Sequence, residues 1–312
     1  LLCSVFTARR FCIRRRQSGK SARRVQQFIR RYRIMNFAFL DSGTGGIPYM
    51  LRLKRLAPDA TCAYLADTVH FPYGEKTVPE IIEYATAAVS RIIDVWRPET
   101  IVVACNTISV SALASLRGRF PFVPFIGTVP AIKLAASVTK NKKIGLLATN
   151  ATVRDAYIRE LEKGFASGCT IYSRGDADLV SFIERKLVTA DENEKMRAVM
   201  PAVDYFAEKD CDTIVLGCTH FTHLADIMQK AAGKNVSVVD SRDGVARRAI
   251  EVHDNLINLK KESENIFTAA ADFLSDVPDE SFFVTGVSDD KAKAYYRAFC
   301  KMLGIPFGGT LA

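Results

Sequence analysis

The chain has 312 residues, 48% of them hydrophobic and 25% charged, with a formal net charge of +9. That length and balance provide ample core for about two globular domains and exclude a disordered or low-complexity chain. No run reaches the roughly 18 apolar residues of a membrane-spanning helix, and the apolar start at 1–6 is too short, and wrongly followed by arginines, for a secretory signal.

The positive charge belongs to the first 34 residues. They hold eleven Lys or Arg and no acid, which leaves 32 basic against 34 acidic residues for the rest of the chain. An all-basic arm can bind nucleic acid or anionic lipid. The break in composition falls at Met35, the first methionine, with the first convincing strand directly behind it. Residues 1–34 therefore read as an extension, disordered or upstream of the true start, and nucleic acid is not an expected partner except through it. Gly19-Lys20-Ser21 in the arm resembles the end of a phosphate loop. Arg14 stands where that motif needs its first glycine and no strand precedes it, so the match is discarded.

Beyond the arm, strand-like runs fall at 36–40, 62–66, 101–104, 122–126, 143–148, 170–173, 213–217 and 236–239, with a further one at 282–285. Helical patterns at 78–96, 178–187 and 193–208 lie between them. The strand runs are apolar and lack polar alternation, as in parallel sheets covered on both faces. Alternating strands and helices predict an α/β fold of β-α-β units.

One unit occurs twice. Glu99-Thr100-Ile101-Val102-Val103-Ala104-Cys105-Asn106-Thr107 is echoed by Asp212-Thr213-Ile214-Val215-Leu216-Gly217-Cys218-Thr219-His220. Each copy ends a buried strand on a cysteine followed by polar side chains, where ligands bind in open α/β sheets. This predicts two similar halves, with a crossover near 128–136 and a return near 240–245. Either cysteine alone would read as core; the pair reads as two thiols facing one substrate, one removing a proton and the other returning one. A cysteine at a helix start is expected to have its pKa lowered from about 8.5. The eight cysteines form no CxxC pair, so neither a zinc site nor a disulfide framework is expected, and reduced thiols fit a cytoplasmic enzyme.

Three other turns carry candidates. Asp41-Ser42-Gly43-Thr44-Gly45-Gly46 closes the first strand, where glycine lets backbone amides crowd a ligand; its spacing is not that of a dinucleotide site. In the loop Asp67-Thr68-Val69-His70-Phe71-Pro72-Tyr73-Gly74-Glu75, amides and the Tyr73 hydroxyl could hold a carboxylate. Thr149-Asn150-Ala151-Thr152 offers two hydroxyls at a helix start, which also suits a plain N-cap. His70, His223 and His253 have no partner pattern.

Taken together, Asp41-Ser42-Gly43-Thr44-Gly45-Gly46, Pro72-Tyr73-Gly74-Glu75-Lys76, Ala104-Cys105-Asn106-Thr107 and Gly217-Cys218-Thr219-His220 resemble the glutamate racemases of the cofactor-independent aspartate/glutamate racemase superfamily. The resemblance runs from about Asn36 to the C-terminal region. It implies two flavodoxin-like, doubly wound parallel-sheet domains, 35–130 plus 241–312 and 131–240, with the active site in the cleft between them. It implies interconversion of L- and D-glutamate without cofactor or metal, supplying D-glutamate for peptidoglycan in the bacterial cytoplasm, and commonly a homodimer. By the same resemblance Cys105 and Cys218 are the acid/base groups, Asp41 assists Cys105, and Glu184 and His220 assist Cys218. Asp41 and Ser42 would meet the ammonium; Asn106, Thr107, Thr149, Thr152 and Thr219 the α-carboxylate or neighbouring groups; Pro72, Tyr73 and Gly74 the side-chain carboxylate. The chain departs from the family at Asp176-Ala177, where a Cys-Pro pair is usual, and at Thr222, where proline is usual. Rival expectations are an aspartate or other amino-acid racemase of the superfamily, or a non-catalytic anion-binding protein. Relatives acting on aspartate tend to carry glutamate in place of His220 and lack the Pro-Tyr-Gly loop.

Overall fold

A computed structural model describes residues 35–264 and 280–311; the basic arm and its Gly19-Lys20-Ser21 segment lie outside them. Ten strands follow in chain order: β1 (Phe37–Asp41), β2 (Cys62–Ala66), β3 (Thr100–Val103), β4 (Phe125–Gly127), β5 (Lys143–Ala148), β6 (Thr170–Gly175), β7 (Thr213–Leu216), β8 (Ser237–Val239), β9 (Ser281–Val284) and β10 (Phe307–Thr310). They form a six-stranded sheet in the order β10-β9-β2-β1-β3-β4 and a four-stranded sheet in the order β6-β5-β7-β8. Every pairing is parallel. The two sheets therefore share the strand-cysteine unit but differ in size.

β1, β2, β3 and β7 are buried along their whole length, as strands covered on both faces must be. The amphipathic helix Val78–Trp96, opened by a Thr77–Glu80 capping box, packs Ile81, Ala85, Val89, Ile92 and Trp96 into the core on one face of the first sheet.

Strand order locates the sites. From β1 the chain moves outward to β2, then crosses to β3 on β1's other side, so the order reverses between β1 and β3. In the second sheet it reverses between β5 and β7. Crevices at such reversals, outside the carboxyl ends of the strands, are where α/β sheets bind ligands. Register sets Leu40 opposite Val103 and Leu147 opposite Leu216. Ala104 N–H donates to the Leu40 carbonyl (2.8 Å) and Gly217 N–H to that of Leu147 (2.7 Å), extending both ladders to the cysteines. Asp41 and Cys105 thus emerge side by side at one reversal, Thr149 and Cys218 at the other.

Most strands fall within two residues of their expected limits, and two elements differ by more. β4 begins at Phe125 rather than 122, and Phe122 is 69% exposed, so its aromatic ring does not mark a core strand. β10 was not expected, because Gly308-Gly309 lacks strand propensity. Its pairing with β9 shifts register between Phe307 and Gly309, and a Cβ at Gly308 would lie 2.3 Å from the Phe283 ring, so only glycine lets the strand close here.

Candidate active site

The two repeat cysteines are rooted in different hydrophobic clusters yet line one cavity of about 160 Å³ between the sheets. Cys105 precedes the short helix Asn106–Ser111, and Cys218 precedes the 3₁₀ turn Thr219–Leu224. Each is nearly buried, at 5% and 4% exposure.

On the first side Asp41 is fully buried. Its Oδ1 accepts from Ser42 N–H (2.6 Å) and its Oδ2 from the Thr219 hydroxyl (3.0 Å), which reaches over from the opposite sheet. Burial pushes the Asp41 carboxyl above its ordinary value against the charge of His220 and a hydrogen bond with Cys105. Burial, and then the Asp41 charge, push the Cys105 thiol well above its ordinary value; the Ile108 N–H at the helix start pulls the other way and loses. The helix-start expectation of an acidified thiol is therefore reversed for Cys105. A helix of six residues cannot outweigh removal from water beside a carboxyl group.

On the second side a histidine bridges sulfur and carboxylate. His220 Nδ1 lies 3.7 Å from Cys218 Sγ and Nε2 lies 2.7 Å from Glu184 Oε1. Burial disfavours the imidazolium, yet hydrogen bonds and charge from Cys218 and Glu184 overcome it and raise His220 well above its ordinary value. Burial likewise pushes Glu184 up, but His220 and the Thr44 donors outweigh it and hold the carboxyl below the usual range. An imidazolium held by the Glu184 carboxylate is the charge state this favours.

Glu184 comes from the helix Ala177–Lys186, whose N-cap is Asp176, accepting from Leu179 N–H (2.9 Å). The first departure from the family motif thus installs a cap and leaves Glu184 in reach of His220. At the second, the Thr222 hydroxyl donates to the Thr219 carbonyl (2.7 Å), tying the turn that carries His220.

The glycine-rich turn does something different from cradling a ligand. Thr44 N–H and its hydroxyl donate to Glu184 Oε1 at 2.5 and 2.8 Å, so the anion held there is the protein's own carboxylate. A Cβ at Gly43 would lie 2.3 Å from Glu184 Oε1, and one at Gly45 2.5 Å from His220 Nδ1 and 2.7 Å from the His220 backbone nitrogen. These glycines let the first sheet's turn press against the histidine relay. His223 donates from Nε2 to the Thr44 carbonyl (3.0 Å), its pKa pushed down to about 4 by burial, and so steadies the same turn.

Ser42, Pro72, Tyr73, Gly74, Asn106, Thr107, Thr149, Thr219 and His220 all line the cavity with the two cysteines. Both amide atoms of Asn106 are buried without a hydrogen-bond partner among the described residues. Such atoms are costly unless a ligand satisfies them. Asp41 and Glu184 stand behind the lining. So does Thr152, whose hydroxyl accepts from that of Thr149 (3.0 Å) while its N–H caps on the same oxygen (3.2 Å). The N-cap reading of this turn therefore holds, and of its two threonines only Thr149 reaches the cavity. The Tyr73 hydroxyl is likewise committed, donating to Asp67 Oδ2 (2.5 Å). Asp67 also meets His70 (2.8 Å) and the Thr285 hydroxyl (2.8 Å), so this loop presents backbone rather than the phenol.

The sequence reading missed several lining residues, Phe71, Asn150, Ser181 and Arg185 among them. Ser181 and Arg185 had a readable signal, since they share a helical face with Ala177.

Fold and site define a two-sheet α/β protein with paired thiols over one cavity, and the chain belongs to the Asp/Glu/hydantoin racemase family, whose profile matches residues 50–249. Within that family its similar relatives are glutamate racemases. That of Treponema pallidum is 36% identical over 275 residues, covering 88% of this chain and 96% of the relative. One from a Shewanella species is 38% identical over 208 residues, covering 67% and 75%. Among solved structures, Escherichia coli glutamate racemase, in complex with L-glutamate and the activator UDP-MurNAc-Ala, has a TM-score of 0.74 at 31% identity, covering 88% of this chain and 97% of that one. A Bacillus anthracis glutamate racemase has a TM-score of 0.67 at 25% identity, covering 89% and 97%.

Proposed function

We propose that this protein interconverts L- and D-glutamate by a two-thiol proton transfer at Cα. The observation that carries the reading is a single cavity lined by Cys105 from one sheet and Cys218 from the other. Inverting a stereocentre by proton transfer needs a base on one face and an acid on the other. One thiolate takes the Cα proton, and the C–H electron pair passes into the α-carboxylate as an enediolate. The opposite thiol then gives its proton to Cα, leaving the two sulfurs with exchanged protonation states ready for the reverse reaction.

Each thiol has its own assistance. Asp41 serves Cys105, and the His220–Glu184 pair serves Cys218. The substrate ammonium would enter beside Asp41 and Ser42, bringing the positive charge that Cys105 lacks. The unpartnered Asn106 amide, with Thr107, Thr149 and Thr219, would hold the α-carboxylate and stabilise the enediolate electrostatically. The backbone of Pro72, Tyr73 and Gly74 would receive the side-chain carboxylate. This chemistry requires no cofactor. We read 35–130 plus 241–312 and 131–240 as the two domains, and the protein as a cytoplasmic homodimer that supplies D-glutamate for peptidoglycan. No helix among the described residues is long and apolar enough to cross a membrane.

The direct test is loss of optical rotation or circular dichroism of D- or L-glutamate without added cofactor, with aspartate run in parallel. Decay of the glutamate signal from either enantiomer, with aspartate at least about tenfold slower, is the expected result. A stable signal from both glutamate enantiomers contradicts the reading.

Asp41→Asn separates chemistry from stability. A carboxyl whose folded pKa is raised supports the fold below its unfolded value of about 4 and loses that support as pH rises through its folded value. The amide is free of this loss. Thermal unfolding should find the variant level with wild type at pH 3–4 and more stable at pH 7, while turnover at pH 7 falls about 10²-fold. Destabilisation at pH 7, or near-normal turnover, contradicts the role given to Asp41.

A further inference from the structure

The helix Ala177–Lys186 builds one wall of the cavity with Ala177, Val180, Ser181 and Arg185. Among the described residues, Arg185 is the one lysine or arginine on the cavity lining; it is exposed and takes part in no described ion pair. Ser181 and Arg185 also line a second, open groove of about 470 Å³, where Arg174, Lys186 and Arg197 face Asp176 and Asp178. Asp176 is already committed, capping the helix through Leu179 N–H and pairing with Arg174 at 3.3 Å. The groove is thus locally positive on a body with two more acids than bases, and it shares Ser181 and Arg185 with the cavity lining. Glu75 is the opposing exposed charge on the cavity lining.

We propose that this basic groove, with Arg185 at its inner end, is the electrostatic entry path for the dicarboxylate substrate; the inference rests on the glutamate reading above. Entry needs such help. The interior holds the Asp41 and Glu184 carboxyl groups and one thiolate per cycle, against His220 as the single buried cation there among the described residues. Glutamate arrives with two carboxylates and one ammonium, a net negative charge that this interior repels until the ammonium has docked. Cations along a cleft raise the local concentration of an anion outside it. The benefit is screened by salt, with a Debye length of about 8 Å at physiological ionic strength. A charge acting at this range needs no bidentate geometry, so lysine can take the place of Arg185.

The test is steady-state racemisation by the full chain at low and high ionic strength, for wild type, Arg185→Glu, Arg185→Lys and Arg197→Gln. Arg185→Glu should raise KM for glutamate about tenfold, with kcat moving less than about twofold, and Arg197→Gln should raise KM by a smaller factor. Arg185→Lys should restore KM to within about twofold of wild type. Wild-type kcat/KM should fall with added salt, whereas that of Arg185→Glu should rise. An unmoved KM in Arg185→Glu, a salt-insensitive wild type, or a loss confined to kcat that lysine does not rescue would overturn the entry path while leaving glutamate turnover standing. A wild type that turns over no glutamate overturns both.

Discussion

Cys105→Ala and Cys218→Ala each lose at least about 10³-fold of racemase turnover while keeping the fold, because each removes the only acid/base group on its face of Cα. Both sulfurs face the cavity, so truncation leaves little void in packed core, and far-UV circular dichroism and Tm should stay close to wild type. The two variants should also differ from each other. With one thiol gone, the other can still remove the Cα proton of the enantiomer that presents it, then return a solvent proton to the same face. Each variant should therefore exchange the Cα proton of one enantiomer with deuterated solvent, without inversion, and the two should choose opposite enantiomers. Near-normal turnover in either, or loss of both exchange reactions together with the fold, contradicts the assignment.

Gly45→Ala is expected to disable the enzyme without touching either sulfur. The added methyl would lie 2.5 Å from His220 Nδ1, 2.7 Å from the His220 backbone nitrogen and 2.7 Å from the Thr219 hydroxyl. A backbone atom cannot swing away as the end of a flexible side chain can, so the turn and the 3₁₀ segment must part. Overpacking of this kind costs about 1–3 kcal/mol. The movement falls on the ring that joins Cys218 to Glu184 and on the hydroxyl that donates to Asp41. A displacement near 1 Å at a proton-transfer site costs about 10²-fold in rate. Thermal unfolding and kcat for both directions check the pair of effects. Gly118→Ala is the control: nothing lies within 4 Å of a Cβ there, so kcat should stay unchanged. Because the position is inside the helix Leu113–Arg119, the variant should be, if anything, more stable by up to about 1 kcal/mol.

The sequence disclosed what repeats and what is periodic. β2, β5 and the helix Val78–Trp96 match their predicted limits, because uniform apolar runs and a strong 3.6-residue pattern are local signals. The duplicated strand-cysteine unit pointed to one cavity because the C-terminal ends of parallel strands gather at a reversal of strand order. Contacts between distant segments were not legible. Gly43 and Gly45 were read as room for a ligand, whereas the space they leave is taken by Glu184 and His220, and Thr44 and Glu184 stand 140 positions apart. The Tyr73 hydroxyl reads as free in the sequence, whereas it donates to Asp67. His70, His223 and His253 had no pattern, yet each meets a partner: Asp67, the Thr44 carbonyl and Glu99. The Cys105 pKa was misread in direction because burial and Asp41, not the helix start, govern it.

Two thiols on opposite faces of one carbon make a specific isotopic demand. D-glutamate is racemised in deuterium oxide, quenched early, and its enantiomers are separated for mass analysis at Cα. The product L-glutamate should carry one solvent deuterium at Cα in essentially every molecule, while the remaining D-glutamate keeps its protium, and the reverse run should mirror this. Product that retains the original protium would mean a single group carries the proton across, and two-sided catalysis by Cys105 and Cys218 would be wrong.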